Sequence, residues 1–391
     1  MPRPRPARLE HIAGIGVDRM GAIADASGRD WLRLENLDTD IPPDAAAIAQ
    51  TREAASRDVD NSYLPFVGQA RLREAVARHV SRLSGVEYSG ERHCVISAGG
   101  LSGILNVLLA TLEVGDEVIV TDPTYAGLIN RVRLAGGVPR FVPFHFSPGE
   151  AWRLDRDALQ GAVGPKTRAM LLMSPSMPSG ALLEEADWAA VASLCREHDL
   201  LLILDAAMER LVFDERPPIH PAGLPGMAQR TITVGSSAKE LRMIGWRVGW
   251  IVAPEALIPD LIAVSLANVV VPVGIAQDAV ALALERSRES MSAYVAQLQA
   301  RRDVMMAELA GLPYGKPAGG WSMLLRVSDY GLDGTAVAQR LLQQGVCATA
   351  MAGWGEIHGP QYIRFVFSNE PVSRLRGVGR RVRAALGAAC G

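Results

Sequence analysis

Lysine occurs three times in this 391-residue chain, at Lys166, Lys239 and Lys316, while arginine carries nearly all the remaining positive charge. Lys239 closes the string Ser236-Ser237-Ala238-Lys239, and Gly245-Trp246-Arg247 follows it. A lysine amine can attack a carbonyl and form a Schiff base, whereas a guanidinium stays protonated and is no nucleophile. The preceding run Thr231-Ile232-Thr233-Val234 alternates β-branched residues and predicts a strand. Ser236 to Lys239 therefore fall just beyond a strand end, where α/β proteins gather their chemistry. A solvated surface lysine has the same local signature, so the neighbouring motifs must decide.

Four other features sit at comparable places. Ser97-Ala98-Gly99-Gly100, running on to Leu101, follows the apolar run Cys94-Val95-Ile96 and opens a helix. Its unpaired N–H groups make a seat for a phosphate, although a tight connection reads the same way. Asp205 ends the apolar run Leu200–Leu204, where an acid is costly unless it finds a partner. Tyr125 follows Asp122-Pro123-Thr124 and could present a ring face. Arg364, between Ile363 and Phe365, either snorkels or clamps a carboxylate.

Alternating helix and strand signals surround these residues. Helices are expected over Gly100–Leu112, Tyr125–Ala135 and Glu184–His198, with strands at 117–120, 142–144, 167–173, 200–204, 231–235 and 248–252. This pattern predicts an α/β fold with a mostly parallel central sheet. From Ala281 a helical stretch runs through Glu308, and strands at 321–327, 346–348 and 362–367 precede a last helix. The expected organisation is an N-terminal segment 1–45 of poor helical signal packing on a small domain, a large domain 46–295, and a small α+β domain 296–391.

Composition narrows the class. A hydrophobic content of 49% and a formal net charge of -2 fit a globular protein and offer no nucleic-acid surface. The arginines between Arg374 and Arg383 read as the polar face of the last helix. The start Met1-Pro2-Arg3-Pro4-Arg5-Pro6 lacks the apolar core of a secretory signal, and no apolar run is long enough to span a membrane. Cys94, Cys195, Cys347 and Cys390 have no metal spacing and read as free thiols. No metal site and a cytoplasmic location are expected.

Taken in order, Asn61-Ser62-Tyr63-Leu64-Pro65-Phe66-Val67-Gly68, Leu72-Arg73, Ser97-Ala98-Gly99-Gly100, Asp122-Pro123-Thr124-Tyr125, Pro178-Ser179-Gly180, Asp205, Ser236-Ser237-Ala238-Lys239 and Gly245-Trp246-Arg247-Val248-Gly249 carry a resemblance. From about residue 30 onward the chain resembles the fold-type I pyridoxal-phosphate enzymes, specifically the class I/II aminotransferases. The resemblance implies a pyridoxal 5′-phosphate cofactor joined to Lys239, which then moves the substrate α-proton. It implies that Asp205 pairs with the pyridine nitrogen and Tyr125 stacks on the ring. Gly99, Gly100, Leu101, Ser236 and Arg247 would hold the phosphate, with Tyr63 reaching across a homodimer. Arg364 would grip the substrate carboxylate.

Two departures bear on the reaction. The family usually has Asn-Asn-Pro-Thr-Gly where this chain has Ser176-Met177-Pro178-Ser179-Gly180. Met177 stands for the asparagine, and Met208 for the tyrosine, that donate to the cofactor's phenolic oxygen in the family. A thioether cannot donate. The N-terminal glycines near the substrate are replaced by Leu34-Glu35-Asn36-Leu37-Asp38, so that Glu35 and Leu37 are candidate substrate contacts, Glu35 or Asp38 facing a basic group. Val269-Val270-Val271 lies roughly where dicarboxylate-specific members supply a second arginine. The expected function is transfer of the amino group of a neutral or basic L-amino acid to a 2-oxo acid. The alternative is a lyase, cyclase or oxidase of specialised biosynthesis.

Overall fold

The computed structural model describes residues 6, 9–12 and 14–387, so Cys390 and most of the proline-arginine start lie outside the described residues. Thirteen strands run in chain order: β1 (Leu32–Arg33), β2 (Cys94–Ser97), β3 (Glu117–Asp122), β4 (Val138–His145), β5 (Arg153–Leu154), β6 (Thr167–Met173), β7 (Leu201–Asp205), β8 (Thr231–Ser236), β9 (Gly249–Val252), β10 (Ser322–Arg326), β11 (Val346–Cys347), β12 (Thr349–Ala350) and β13 (Tyr362–Val366).

The central sheet has eight strands in the order β2-β9-β8-β7-β6-β3-β4-β5. β8, β7, β6, β3 and β4 are mutually parallel. β9 is antiparallel to both β2 and β8, so β2 points the same way as the parallel set. The C-terminal ends Ser97, Asp122, Met173, Asp205 and Ser236 consequently share one edge of the sheet. Every residue of β2 and β8 is buried, as expected where helices cover both faces. Val95, Val120, Leu171, Ile203 and Val234 form one apolar layer and Ile119, Met170, Leu172 and Leu204 belong to the other. The period-2 alternation sends neighbours to opposite faces.

A three-stranded sheet, β10-β13-β12, lies C-terminal to this, and β1 pairs in parallel with β11. The N-terminal segment thus adds a strand to the C-terminal part of the chain. Its poor helical signal is corrected by the structure: Val17–Ser27 is an 11-residue helix. Ala24 from that helix is buried with Trp31 and Cys347, and tertiary packing outweighs weak local propensity there. The helix Gly274–Glu308 runs 35 residues without interruption through the expected boundary at 295/296. Arg301 on this helix reaches Asp40 at 2.6 Å, tying it to the N-terminal segment.

The arginines from Arg374 onward do not form one helical face. Arg374 lies in the short helix Val372–Leu375, pairing with Asp30 and Glu370, while Val378–Leu386 is a separate helix. Cys94, Cys195 and Cys347 are buried free thiols. Among the described residues no group of His, Cys, Asp and Glu is arranged to hold a metal, and no helix is long and apolar enough to cross a membrane.

Candidate active site

At the shared sheet edge, a cavity of about 210 Å³ is lined by Leu37, Gly100, Leu101, Tyr125, Met173, Met177, Asp205, Ala207, Ser236, Ala238, Lys239, Ile244 and Arg247. Apart from Leu37, which comes from the N-terminal segment after β1, these sequentially distant residues converge because each follows, or ends, a strand of the parallel set. Met173 and Asp205 are register partners on β6 and β7, and Val234 stands beside Asp205 on β8.

The lysine end is half-buried. Nζ of Lys239 donates to the Leu37 carbonyl at 2.9 Å and lies 4.2 Å from the centroid of the Trp321 ring. Burial pulls the amine down to about 7, helped by the charges of Arg364 and Arg247 and opposed by Asp38 and Asp205. An amine at that value is available as a base near neutrality.

Asp205 is buried, and its Oδ1 accepts only from the Ala207 N–H of its own turn, at 3.1 Å. No lysine, arginine or histidine forms an ion pair with it among the described residues, and desolvation raises its carboxyl to about 6. A buried carboxylate left without a cation fits a ligand that brings a protonated nitrogen to it.

The opposite end is an anion seat. The helix Gly100–Thr111 begins without a side-chain cap, leaving its first N–H groups unpaired at the cavity wall. Gly99 has φ +92°, and a Cβ there would lie 2.5 Å from Nη2 of Arg247. Only glycine allows the guanidinium to sit against this turn. Arg247 itself holds a left-handed φ of 54°, its Nη1 donating to the Ile244 carbonyl at 3.0 Å. Ser236 Oγ accepts from the Ala238 N–H at 3.1 Å and faces Gly100. A phosphate fits this combination of helix N-terminus, hydroxyl and guanidinium.

Arg364 is fully buried on β13. Its Nη2 donates to the Glu35 carbonyl at 2.8 Å and to the Thr349 hydroxyl at 3.1 Å, and its guanidinium stacks on Trp354 at 4.6 Å. Nε and Nη1 have no partner. Burial lowers this arginine to about 9.

The chain's similarity to known proteins follows the same outline. The family model "Aminotransferase class I and II" matches residues 32–376. The chain belongs to the class I and II aminotransferases. Arginine–pyruvate transaminase AruH of Pseudomonas aeruginosa is 36% identical over 360 residues, covering 90% of this chain and 88% of that protein. Human kynurenine–oxoglutarate transaminase 1 is 31% identical over 323 residues, 78% of this chain and 76% of the other. The solved structure of N-succinyldiaminopimelate aminotransferase from Mycobacterium tuberculosis superposes with a TM-score of 0.91 at 31% identity, covering 98% of this chain and 100% of that one. This aminotransferase is therefore a fold-type I, pyridoxal 5′-phosphate-dependent enzyme.

Several residues chosen from sequence lie elsewhere than expected. Met177 lines the cavity, but Met208 does not: the Asp205 turn places Ala207 on the wall and sends Met208 into the core beside Gly320. The Glu35 side chain is buried against Arg33, with Nε to Oε1 at 2.6 Å, near Gly21 of the first helix. It is a partner of Arg33, and only its carbonyl touches the Arg364 group. Leu37 does line the cavity. Asp38 accepts from the Thr39 N–H and contributes charge to Lys239. Tyr125 lines the cavity, with its ring 5.2 Å from Trp354. Tyr63 is 83% exposed on this chain's surface and lies outside the cavity. Trp354 stacks on Arg364, and Trp31 packs with Ala24 and Cys347. Sequence reading missed Met173, Ala207, Ala238, Ile244 and Trp321; only Met173, ending an apolar strand, carried a signal that could have found it.

Proposed function

We propose that the enzyme binds pyridoxal 5′-phosphate in the 210 Å³ cavity and transfers the amino group of a neutral or basic L-amino acid to a 2-oxo acid. The observation that carries this reading is a half-buried lysine amine near neutrality, flanked by a buried carboxylate in no ion pair among the described residues and by an uncapped helix start. When bound, the cofactor supplies an electron sink for the bonding electrons of the substrate α-carbon.

The chain's residues do the rest. Gly100, Leu101, Ser236 and Arg247 hold the phosphate. The buried Asp205 carboxylate would hold the protonated pyridine nitrogen of the cofactor, which would give that acid a cationic partner. Tyr125 covers the ring. Nε and Nη1 of Arg364 receive the substrate carboxylate, fixing which α-bond faces the ring. Lys239 would accept the α-proton of the substrate at Nζ. Leu37, Met173, Met177 and Ile244 exclude water, so that each charge in the pocket acts through a low dielectric.

The preference for a neutral or basic side chain rests on the wall. Apart from Arg247, which would hold the phosphate, and Arg364, which would hold the α-carboxylate, no arginine of the described residues is found at the site, and Asp38 adds negative charge near Lys239. The named activity of the Pseudomonas relative agrees with a basic substrate. The enzyme works as a homodimer in this reading, with exposed Tyr63, Phe66, Val270 and Val273 at the contact and Tyr63 entering the neighbour's phosphate seat.

The test is a half-reaction. Cofactor-loaded enzyme is mixed with single L-amino acids, and conversion to the amino form of the cofactor is followed by absorbance. Conversion with arginine, lysine or leucine, reversed by pyruvate, is the expected result. Turnover confined to aspartate and glutamate would overturn the substrate class, and ammonia release without a 2-oxo acid requirement would overturn transamination.

A further inference from the structure

Lys239 is held at both ends by one closed set of contacts. Its Nζ lies 4.2 Å from the centroid of the Trp321 ring. The indole Nε1 of Trp321 donates to Tyr294 Oη at 3.1 Å. The same hydroxyl donates to the Lys239 carbonyl at 3.4 Å. Trp321 and Tyr294 are both fully buried, the first just before β10 and the second within the helix Gly274–Glu308. Arg242, three residues past the lysine, stacks on the Tyr294 ring at 4.6 Å. Three separate segments thus meet around one amine, and none of the indole's contacts is used by the phosphate seat or by Arg364.

Resting on the assignment of Lys239 as the reacting amine, we propose that Trp321 is a positioning residue for it. The indole face holds Nζ in place whenever that nitrogen is free of cofactor and carries a proton, and Tyr294 fixes the indole in place. The chemistry favours a π face for this task. The free amine must carry a proton part of the time in a pocket that also contains Arg364 and Arg247. A carboxylate placed against it would stabilise the charge strongly and could take the proton. A ring attracts the cation through its quadrupole but offers no basic lone pair. Trp321 therefore offsets part of the burial penalty without competing for the proton. The Leu37 carbonyl, on the N-terminal segment, accepts an N–H bond from the same nitrogen.

The other charges facing Nζ are Asp38 on the N-terminal segment, Asp205 ending β7, Arg247 after the lysine turn, and Arg364 on β13. None of them touches Trp321 by hydrogen bond or ion pair in the contacts above. A change confined to the indole's π density isolates the ring.

The experiment uses the full chain, without added cofactor, carrying 13C at the lysine Cε atoms. Its three lysines give three resonances, and Lys239→Arg assigns the one of interest. Tryptophan at position 321 is replaced by mono-, di- and tetrafluorinated tryptophans, which lose π density at nearly constant size. The expected result is a stepwise fall in the proton affinity of Lys239, roughly three- to thirtyfold across the series, with Lys166 and Lys316 unmoved. Trp321→Phe should fall less than Trp321→Leu. A Lys239 titration that stays constant or moves upward across the fluorinated series would overturn the proposal. Capture of pyridoxal 5′-phosphate, seen as a visible band present in the wild type and absent in Lys239→Arg, tests the underlying assignment separately. If the band persists in Lys239→Arg, that assignment falls whatever the titration shows.

Discussion

Replacing Arg364 with leucine separates a site residue from a structural one, because activity and stability should respond in different ways. In the chain as described, the guanidinium is fully buried, and only Nη2 is hydrogen-bonded within the protein. Burial lowers the arginine from an ordinary value above ~12 to about 9, which corresponds to a penalty on the order of 5 kcal/mol. Against that stand two Nη2 hydrogen bonds of about 1.5 kcal/mol each and a ring contact of about 1 kcal/mol. These contributions nearly cancel. The stability of Arg364→Leu without substrate should therefore lie within about 2 kcal/mol of wild type by urea unfolding, whereas truncating a satisfied buried ion pair costs about 3–5 kcal/mol. Substrate binding loses the two charge-assisted bonds expected from Nε and Nη1, about 1.5–3 kcal/mol apiece. The predicted fall in kcat/KM is then roughly a hundredfold to ten-thousandfold, with cofactor affinity unchanged. A fall below tenfold, or a stability loss above about 3 kcal/mol, would refute the assignment of this arginine to the substrate carboxylate.

Gly99→Ala should weaken pyridoxal 5′-phosphate binding at least tenfold in an absorbance titration. The added Cβ meets Arg247 at 2.5 Å, and φ +92° is strained for any L side chain by about 1–3 kcal/mol. Wild-type affinity in this variant would remove the anion-seat argument. For the chain without cofactor, Lys239→Met should be stabilising at pH 6–7, by roughly 1–3 kcal/mol. The sign follows from a folded value of about 7 below an unfolded value near ~10.4: the unfolded chain binds the extra proton in between, so the penalty is largest below pH ~7 and fades toward pH ~10. A stability difference independent of pH from 6 to 10 in urea unfolding contradicts the burial of this amine. Met177→Asn puts an N–H donor on the cavity wall. The pH midpoint of the visible band of the loaded enzyme should move down by about one unit, since a donor to the phenolic oxygen favours the deprotonated chromophore. An unmoved midpoint would place Met177 away from that oxygen.

The strand-end positions of Ser97, Asp205 and Ser236 were legible because parallel strands buried on both faces write short apolar runs with the chemistry just past them. The 11-residue helix Val17–Ser27 was not, since its stability comes from burying Ala24 and Met20 against distant segments. Met208 was misplaced for a related reason: a spacing of three residues from Asp205 gives no direction once the chain leaves the strand, and the Ala207 N–H bond to Asp205 sets the turn. Glu35 looked like a substrate contact because sequence cannot show that Arg33 already holds it.

What the sequence by itself determined is the kind of chemistry: a nucleophilic amine, one of three lysines in a chain that otherwise uses arginine, an acid ending an apolar run, and a glycine turn for an anion. Those properties belong to residue types and to local periodicity, which a linear string records. The tertiary structure alone decided the state of that amine. Its proton affinity depends on burial and on the charges of Asp38 and Arg364, which lie 201 and 125 residues away along the chain. Desolvation and charge act through space, so only the folded arrangement sets them.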